Sequence, residues 1–163
     1  MSEYTDAVVG IGQLHAHFVD AVFRQDFAEF ADCFAHDGVW KIAGMVLDGR
    51  EAIHTAATGL LSRCEKIQLL AQPPILTVHG HTAQGRQQMI ELAKMPDGQG
   101  FLTIGVYHDT YVLEEGRWRF GRRHWSMKYR GPTPLDGVFV DTPDYGPFPA
   151  GPSADEATYV RPA

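Results

Sequence analysis

The chain has 163 residues, a mass of 18.1 kDa and a formal net charge of −6, with a pI near 5.7. This length suits one domain with a real hydrophobic core, and 44% hydrophobic with 21% charged residues is ordinary for a globular protein. The acidic balance disfavours a nucleic-acid partner, no apolar run approaches the ~20 residues of a membrane span, and the acidic N-terminus is unlike a signal peptide.

The first third of the chain has the spacing of amphipathic helices. Apolar residues recur at steps of three and four over residues 5–24, which predicts the first helix. Asp26 and Glu29 have the spacing of a capping box, so a short second helix is predicted with an apolar stripe of Phe27, Phe30 and Phe34. A third predicted helix covers residues 49–64. Both cysteines fall at apolar helical positions, so free thiols in a cytoplasmic protein are expected at Cys33 and Cys64.

The rest of the domain has the period of two that is typical of strands. One short strand is predicted before the third helix, and five follow it, so the predicted strands are residues 39–42, 67–70, 75–78, 82–95, 101–114 and 117–130. Strands of about 12 residues rarely stay flat. We therefore predict an α+β fold in which three N-terminal helices pack on the concave side of a strongly curved, mainly antiparallel sheet.

The composition changes after Gly131, since seven of the ten prolines lie in residues 132–163. The chain is therefore divided into a domain over residues 1–131 and a Pro/Gly-rich tail over residues 132–163. The tail also carries four aromatic rings, which a disordered linker usually lacks. We expect at least its first half to lie against the body or a second subunit, through some of Phe139, Tyr145, Phe148 and Tyr159.

The segment 105–123 contains the best candidate for a chemical role. Two alternating runs flank the Glu115-Gly116 turn, which predicts a β-hairpin. Tyr107, Asp109 and Tyr111 share one face of its first strand, and a carboxylate between two rings is costly in a plain core. Burial would raise the pKa of Asp109 and make it a general acid or base near neutral pH. Alternatively, Asp109 only orients a neighbouring tyrosine or arginine in a polar network.

Other candidates depend on which way their strands and helices face. His124 is an even number of residues from Trp118 and Phe120, so alternation along the strand puts all three on one face. If that face points inward, His124 pairs with Asp109. A bulge near Gly121 would reverse these faces and turn Trp125 and Met127 inward.

The first helix and an early strand supply further pocket candidates. His15, Val19 and Phe23 lie at i, i+4 and i+8 of the first helix, so they share a face that could line a pocket. Trp40 is expected as an apolar wall of the pocket, and Tyr111 as a further lining residue. Simple core packing is the alternative for each.

Metal and nucleotide sites are not expected. The pairs His15-x-His17 and His79-x-His81 lack a carboxylate or thiol at the spacing of a metal ligand. The chain also has no phosphate-binding glycine loop and no Gly-x-Ser-x-Gly nucleophile. We therefore expect no cofactor.

Six short sequence segments resemble those of a known family in their order and spacing. They are residues 26–29 (DFAE), 34–40 (FAHDGVW), 47–53 (LDGREAI), 78–83 (VHGHTA), 105–109 (GVYHD) and 116–120 (GRWRF). On these segments the chain resembles the SnoaL-like branch of the nuclear transport factor 2-like superfamily over residues 5–130. The resemblance implies a cone-shaped α+β barrel with a deep apolar pocket, usually as a homodimer.

The same resemblance bears on activity. The superfamily includes polyketide cyclases, dehydratases, isomerases, epoxide hydrolases and non-enzymes, so fold does not give function. Dehydratases of this kind use an Asp–His dyad, whose positions here hold Phe23 and Leu69, and the ketosteroid isomerase base would fall near Ile42. Asp109 matches a third pocket residue.

Together these observations favour a pocket for a hydrophobic polycyclic or isoprenoid-like molecule. An enzyme of this kind would be a cofactor-independent lyase, isomerase or cyclase, with Asp109 transferring a proton, His124 as its partner and Tyr107 as hydrogen-bond donor or stacking wall. The alternative is a non-catalytic ligand-binding or dimeric assembly module. The missing dyad favours the alternative, and the retained Asp109 favours the enzyme.

Overall fold

A computed structural model describes residues 2–139 and 148–150, and these residues form three α-helices and seven β-strands. The helices are α1 (Glu3–Arg24), α2 (Phe27–Asp32) and α3 (Arg50–Leu61). The strands are β1 (Phe34–Ile42), β2 (Met45–Asp48), β3 (Lys66–Ala71), β4 (Ile75–His79), β5 (Thr82–Lys94), β6 (Gly100–Glu114) and β7 (Arg117–Pro132).

The strands form one curved, mixed sheet that does not close into a full barrel. Its order is β2-β1-β7-β6-β5-β3, with β4 also paired to β5. The β1–β7 pair is parallel, and the other pairs are antiparallel. The helices and the inner sheet face share one apolar core, so the predicted α+β cone is confirmed.

The start of β1 differs from the prediction. Phe34 was expected on the stripe of the second helix, but it is fully buried in β1, where it pairs with Phe120 of β7. The register of this parallel pair shifts between Phe34 and Val39, which accommodates the irregular start. The short strand β2 was not predicted, and α3 ends at Leu61 rather than at residue 64.

Side chains at the ends of the helices explain where two of them begin. Ser2 caps α1 by accepting a hydrogen bond from the Thr5 amide, and Asp26 caps α2 by accepting one from the Glu29 amide at 2.9 Å. The second half of the predicted capping box is not formed. Glu29 instead accepts hydrogen bonds from Arg24 at 2.8 Å and lies 3.1 Å from His17, because those groups lie beside it on α1.

Two irregularities in the β6–β7 pair decide which β7 side chains face the core. Tyr111 pairs with Phe120 and Thr110 with Arg122, so Gly121 is an extra residue in β7. A second shift leaves Lys128 without a β6 partner. A bulge of this kind exchanges the two faces of a strand. It turns Arg123 inward after Phe120 and leaves His124 on the outer face.

The segment after β7 begins along the sheet. The Thr133 amide donates to the Gly100 carbonyl at 3.0 Å, and the Lys94 ammonium lies 5.1 Å from the ring centroid of Phe139. Phe148 is exposed, whereas Tyr145 and Tyr159 lie outside the described residues. The division into domain and tail stays a prediction. Among the described helices, none has the length and hydropathy of a membrane span.

Candidate functional site

The register of β5, β6 and β7 arranges the inner face of the sheet in rows. Paired residues lie side by side and point to the same face. Four successive rows carry the candidate chemistry, and they are Gly85–Asp109–Arg123, Gln87–Tyr107–Trp125, Met89–Gly105–Met127 and Glu91–Thr103–Arg130.

Asp109 and Arg123 form an ion pair with no accessible side-chain surface. Arg123 Nε donates to Asp109 Oδ1 at 3.1 Å, and its Nη2 donates to Oδ2 at 3.2 Å. The guanidinium carbon lies 3.8, 4.1 and 4.4 Å from the ring centroids of Tyr107, Phe120 and Phe18. Stacking and bidentate pairing together hold this buried cation.

A chain of hydrogen bonds extends from the ion pair to α1. Tyr111 donates its hydroxyl proton to Asp109 at 3.1 Å, and His15 Nε2 lies 2.9 Å from the same hydroxyl. Arg123 Nη2 faces His15 Nδ1 at 3.5 Å and donates to Gln87 Oε1 at 2.9 Å. Because a guanidinium only donates, this network assigns the imidazole proton to Nε2 of His15.

Burial governs the protonation of this network. It lowers the pKa of His15 well below its usual value, helped by the Arg123 charge, so the imidazole is neutral. It also raises the pKa of Asp109, against the opposing effects of the Arg123 charge and the Tyr111 hydrogen bond. The Tyr111 pKa is raised by burial and by the Asp109 charge. The network is thus largely internal, with Arg123 Nη1 buried and without a hydrogen-bond partner among the described residues, and only His15 and Gln87 reach a concavity, the one along α1.

A separate cavity of about 310 Å³ lies inside the cone, between the helices and the inner sheet face. Its aromatic walls include Phe18, Phe30, Trp40, Tyr107 and Trp125. The Trp40 indole N–H donates to the Tyr107 hydroxyl at 3.3 Å, which leaves the proton of that hydroxyl available. Burial raises the pKa of Tyr107 to about 12, so Tyr107 is a hydrogen-bond donor at any ordinary pH.

Glu91 is the only carboxyl group among the described residues that line this cavity. Its Oε1 lies 3.5 Å from the Thr103 hydroxyl, which in turn accepts from Arg130 Nη1 at 3.2 Å. Burial raises the pKa of Glu91, and the Arg130 charge and the Thr103 hydrogen bond only partly offset that rise. Glu91 also pairs in register with Leu69 of β3. A carboxyl group with this pKa in an apolar cavity is a general acid or base candidate.

A second concavity of about 670 Å³ runs along the outside of α1, facing β3, β4 and the loop between them. His15, Val19 and Phe23 line this outer groove, so they do not share a cavity with Trp40 and Tyr107. Tyr111 is fully buried in the network and lines neither concavity. The expected ligand-binding residues are therefore divided between two places.

The predicted pair of His124 and Asp109 is wrong. The Gly121 bulge places His124 on the outer face, where its ring lies 6.4 Å from that of His108, and Arg123 takes the position opposite Asp109. Asp109 lines neither concavity, which favours the alternative that it orients neighbouring groups. The two dyad positions are also separated, since Leu69 lines the inner cavity and Phe23 the outer groove.

Sequence reasoning missed Glu91, Arg123 and Arg130. The sequence did contain a signal for Glu91, because alternation along β5 puts it on the same face as the buried residues Ala83, Met89 and Ala93. For Arg123 the signal was Gly121, because the bulge considered there as an alternative is present and turns Trp125 and Met127 inward. The direction of Arg130 depends on a second shift, at Lys128, for which the sequence holds no signal.

Comparison with known proteins supports this fold. The sequence model of the SnoaL-like domain matches residues 3–124, so the chain belongs to the SnoaL-like family of the nuclear transport factor 2-like superfamily. No curated protein matches the sequence.

Solved structures with similar folds share little sequence with this chain. A function-unknown protein of Mycobacterium tuberculosis, Rv3472, is 24% identical over 77% of this chain and 74% of its own, with a TM-score of 0.71. A type 2 hexachlorocyclohexane dehydrochlorinase, LinA, is 21% identical over 86% and 97%, with a TM-score of 0.74. A putative scytalone dehydratase of Novosphingobium aromaticivorans is 16% identical over 84% and 98%, also with a TM-score of 0.74. At these identities the likeness establishes the fold alone.

Proposed function

We propose that the inner cavity binds a hydrophobic small molecule and catalyses proton transfer on it without a cofactor, as a lyase, isomerase or cyclase. The observation that carries this proposal is Glu91, the one carboxyl group among the described residues that line the cavity, whose pKa is raised by burial. Thr103 lies beside it in the same row and donates to the carboxyl group, and Arg130 in turn donates to Thr103 from the next strand.

The cavity groups suit chemistry beside a carbonyl group. The Glu91 carboxylate removes a proton from carbon, and the electron pair moves to the carbonyl oxygen to form an enolate. Tyr107 donates a hydrogen bond to that oxygen, and its raised pKa keeps the proton on Tyr107. Glu91 then returns the proton to another carbon, or to a leaving hydroxyl group. A carboxyl group whose pKa lies closer to neutral pH is more effective both at removing the proton and at returning it.

The volume of the inner cavity limits the size of the substrate. Pockets for drug-sized ligands hold about 300–1,000 Å³, and the inner cavity is at the lower end with about 310 Å³. We therefore propose a substrate with one or two rings, smaller than the polycyclic molecules that the sequence favoured. Two structural neighbours are named as a dehydrochlorinase and a putative dehydratase, which supports the lyase among the three reaction types.

A non-catalytic ligand-binding protein is the second candidate. Phe23 and Leu69 at the dyad positions favour it, because the acid–base pair of the related dehydratases is missing. The two candidates differ only in whether Glu91 exchanges a proton with the ligand.

The test has two stages. A thermal-shift screen of small aromatic and terpenoid carbonyl compounds first identifies ligands, which are then incubated in D₂O and analysed by NMR for deuterium at carbon. We expect incorporation with the wild type, its loss in Glu91→Gln with binding retained, and no effect of Glu65→Gln, which removes an exposed carboxylate outside the cavity. Unchanged incorporation in Glu91→Gln would refute the role of Glu91. Ligands that bind wild type without any incorporation would establish the binding protein.

A further inference from the structure

More cationic than anionic side chains line the inner cavity. Two arginines, Arg63 and Arg130, line it together with the single carboxyl group of Glu91. Within residues 2–139 and 148–150, neither arginine has a carboxylate oxygen within 4.0 Å, although other arginines of the same domain do, such as Arg24, Arg50 and Arg119. Both arginines are exposed to solvent as well as lining the cavity, so they form a cationic edge of the cavity that no carboxylate contacts directly.

Arg130 is held in position despite the missing carboxylate. Its Nη1 donates to the buried Thr103 hydroxyl at 3.2 Å, and its guanidinium carbon lies 4.7 Å from the ring centroid of Phe101. These two contacts orient the planar group and leave Nε and Nη2 without a hydrogen-bond acceptor among the described residues. A planar guanidinium with two free donors is suited to bidentate pairing with a carboxylate.

We propose that the ligand of the inner cavity is an amphipathic carboxylate, whose anionic group pairs with Arg130 and whose rings lie against Trp40 and Tyr107. This inference rests on the proposed function, because it concerns the same cavity. Glu91 lies in the same row as Arg130, so the ligand places its reacting carbon near Glu91 by anchoring its carboxylate two strands further along, on β7.

A matched pair of probes tests the charge alone. 2-Naphthoate and its neutral amide, 2-naphthamide, have nearly the same shape, and their dissociation constants can be measured by isothermal titration calorimetry at pH 7. Hydrogen bonds between charged groups are about twice as strong as neutral ones, so we expect wild type to bind naphthoate about tenfold or more tightly than naphthamide. In Arg130→Gln we expect that preference to disappear while the affinity for naphthamide changes by less than about twofold.

The control is Arg122→Gln, which removes an equal charge from the outer face of the same strand. It should keep the full preference for naphthoate. Equal affinities of wild type for the two probes, a preference that survives in Arg130→Gln, or binding of neither probe at millimolar concentration would each overturn the inference. Deuterium incorporation is a separate readout, so the proposed proton transfer can fail while carboxylate recognition stands, and the reverse.

Discussion

Asp109→Asn separates the structural and the catalytic interpretation of Asp109. Asp109 accepts hydrogen bonds from Arg123 Nε, Arg123 Nη2 and the Tyr111 hydroxyl, and it has no accessible side-chain surface. Asparagine has one oxygen and one NH₂ group in the same places. The NH₂ group must therefore face at least one N–H or O–H donor, and the charge of Arg123 loses its partner.

The expected cost follows from the burial of the pair. Removing one member of a buried ion pair costs about 3–5 kcal/mol, because the remaining charge is left without compensation in a medium of low dielectric constant. Replacement of both members by apolar residues of similar size is often nearly neutral. The double variant Asp109→Leu/Arg123→Met should therefore lose much less stability than the sum of the losses in Asp109→Leu and in Arg123→Met.

Urea unfolding at pH 7 measures these differences, with equal m-values as the check that each transition remains two-state. A loss of less than about 1 kcal/mol in Asp109→Asn, below the expected range for a buried pair, would refute the argument. Single losses that simply add in the double variant would do the same, since contacting residues should be coupled. If Asp109 transfers the proton instead, Asp109→Asn should lose deuterium incorporation without losing stability.

Three further predictions concern the cavity and the buried network. The pKa of Glu91 is raised in the fold, so the wild type should lose stability as the pH rises above about 4.3, the pKa of a glutamate in the unfolded chain. Glu91→Gln should therefore be more stable than wild type in urea at pH 7, but not at pH 3.5. The lowered pKa of His15 has the opposite sign: as the pH falls below about 6.5, the stability of wild type should decrease by up to about 1.4 kcal/mol per pH unit, and His15→Gln should flatten that slope. Gly105→Ala should destabilise by about 1–3 kcal/mol and shift the tryptophan fluorescence, because the new Cβ would overlap the Trp125 ring at Cζ2. In contrast, Gly59→Ala on the open surface of a helix should gain about 0.5–1 kcal/mol.

The fold was predictable because its signals are local. The helical period of residues 5–24 and the alternation of the long strands give α1, β5, β6 and β7 with ends within a few residues of those in the structure. The inward face of Tyr107, Asp109 and Tyr111 also follows from strand alternation, and all three are buried. Alternation within one strand requires no knowledge of its neighbours.

The functional site depends on relations between strands, which one sequence does not reveal. The bulge at Gly121 places Arg123 instead of His124 on the inner face, and a glycine in a strand permits such a shift without requiring it. The pairing of Phe34 with Phe120 joins two distant segments in parallel, so the local helical spacing of Phe34 was misleading. Register across three strands brings Glu91 to Arg130, 39 positions along the chain from it.

The two polar systems of the core differ in how completely their groups are used. Asp109, Tyr111 and His15 satisfy one another inside the network, and Arg123 stacks on the Tyr107 ring that also lines the inner cavity. The network therefore positions a wall of the inner cavity, although none of its four side chains lines that cavity. Glu91 and Arg130 keep acceptors and donors that no described residue uses, and Glu91 lies directly across from Leu69, the position at which the resemblance to dehydratases implies a histidine. Glu91 and Leu69 line the same cavity from neighbouring strands, so the absence of the dyad does not by itself remove acid–base groups from this cavity.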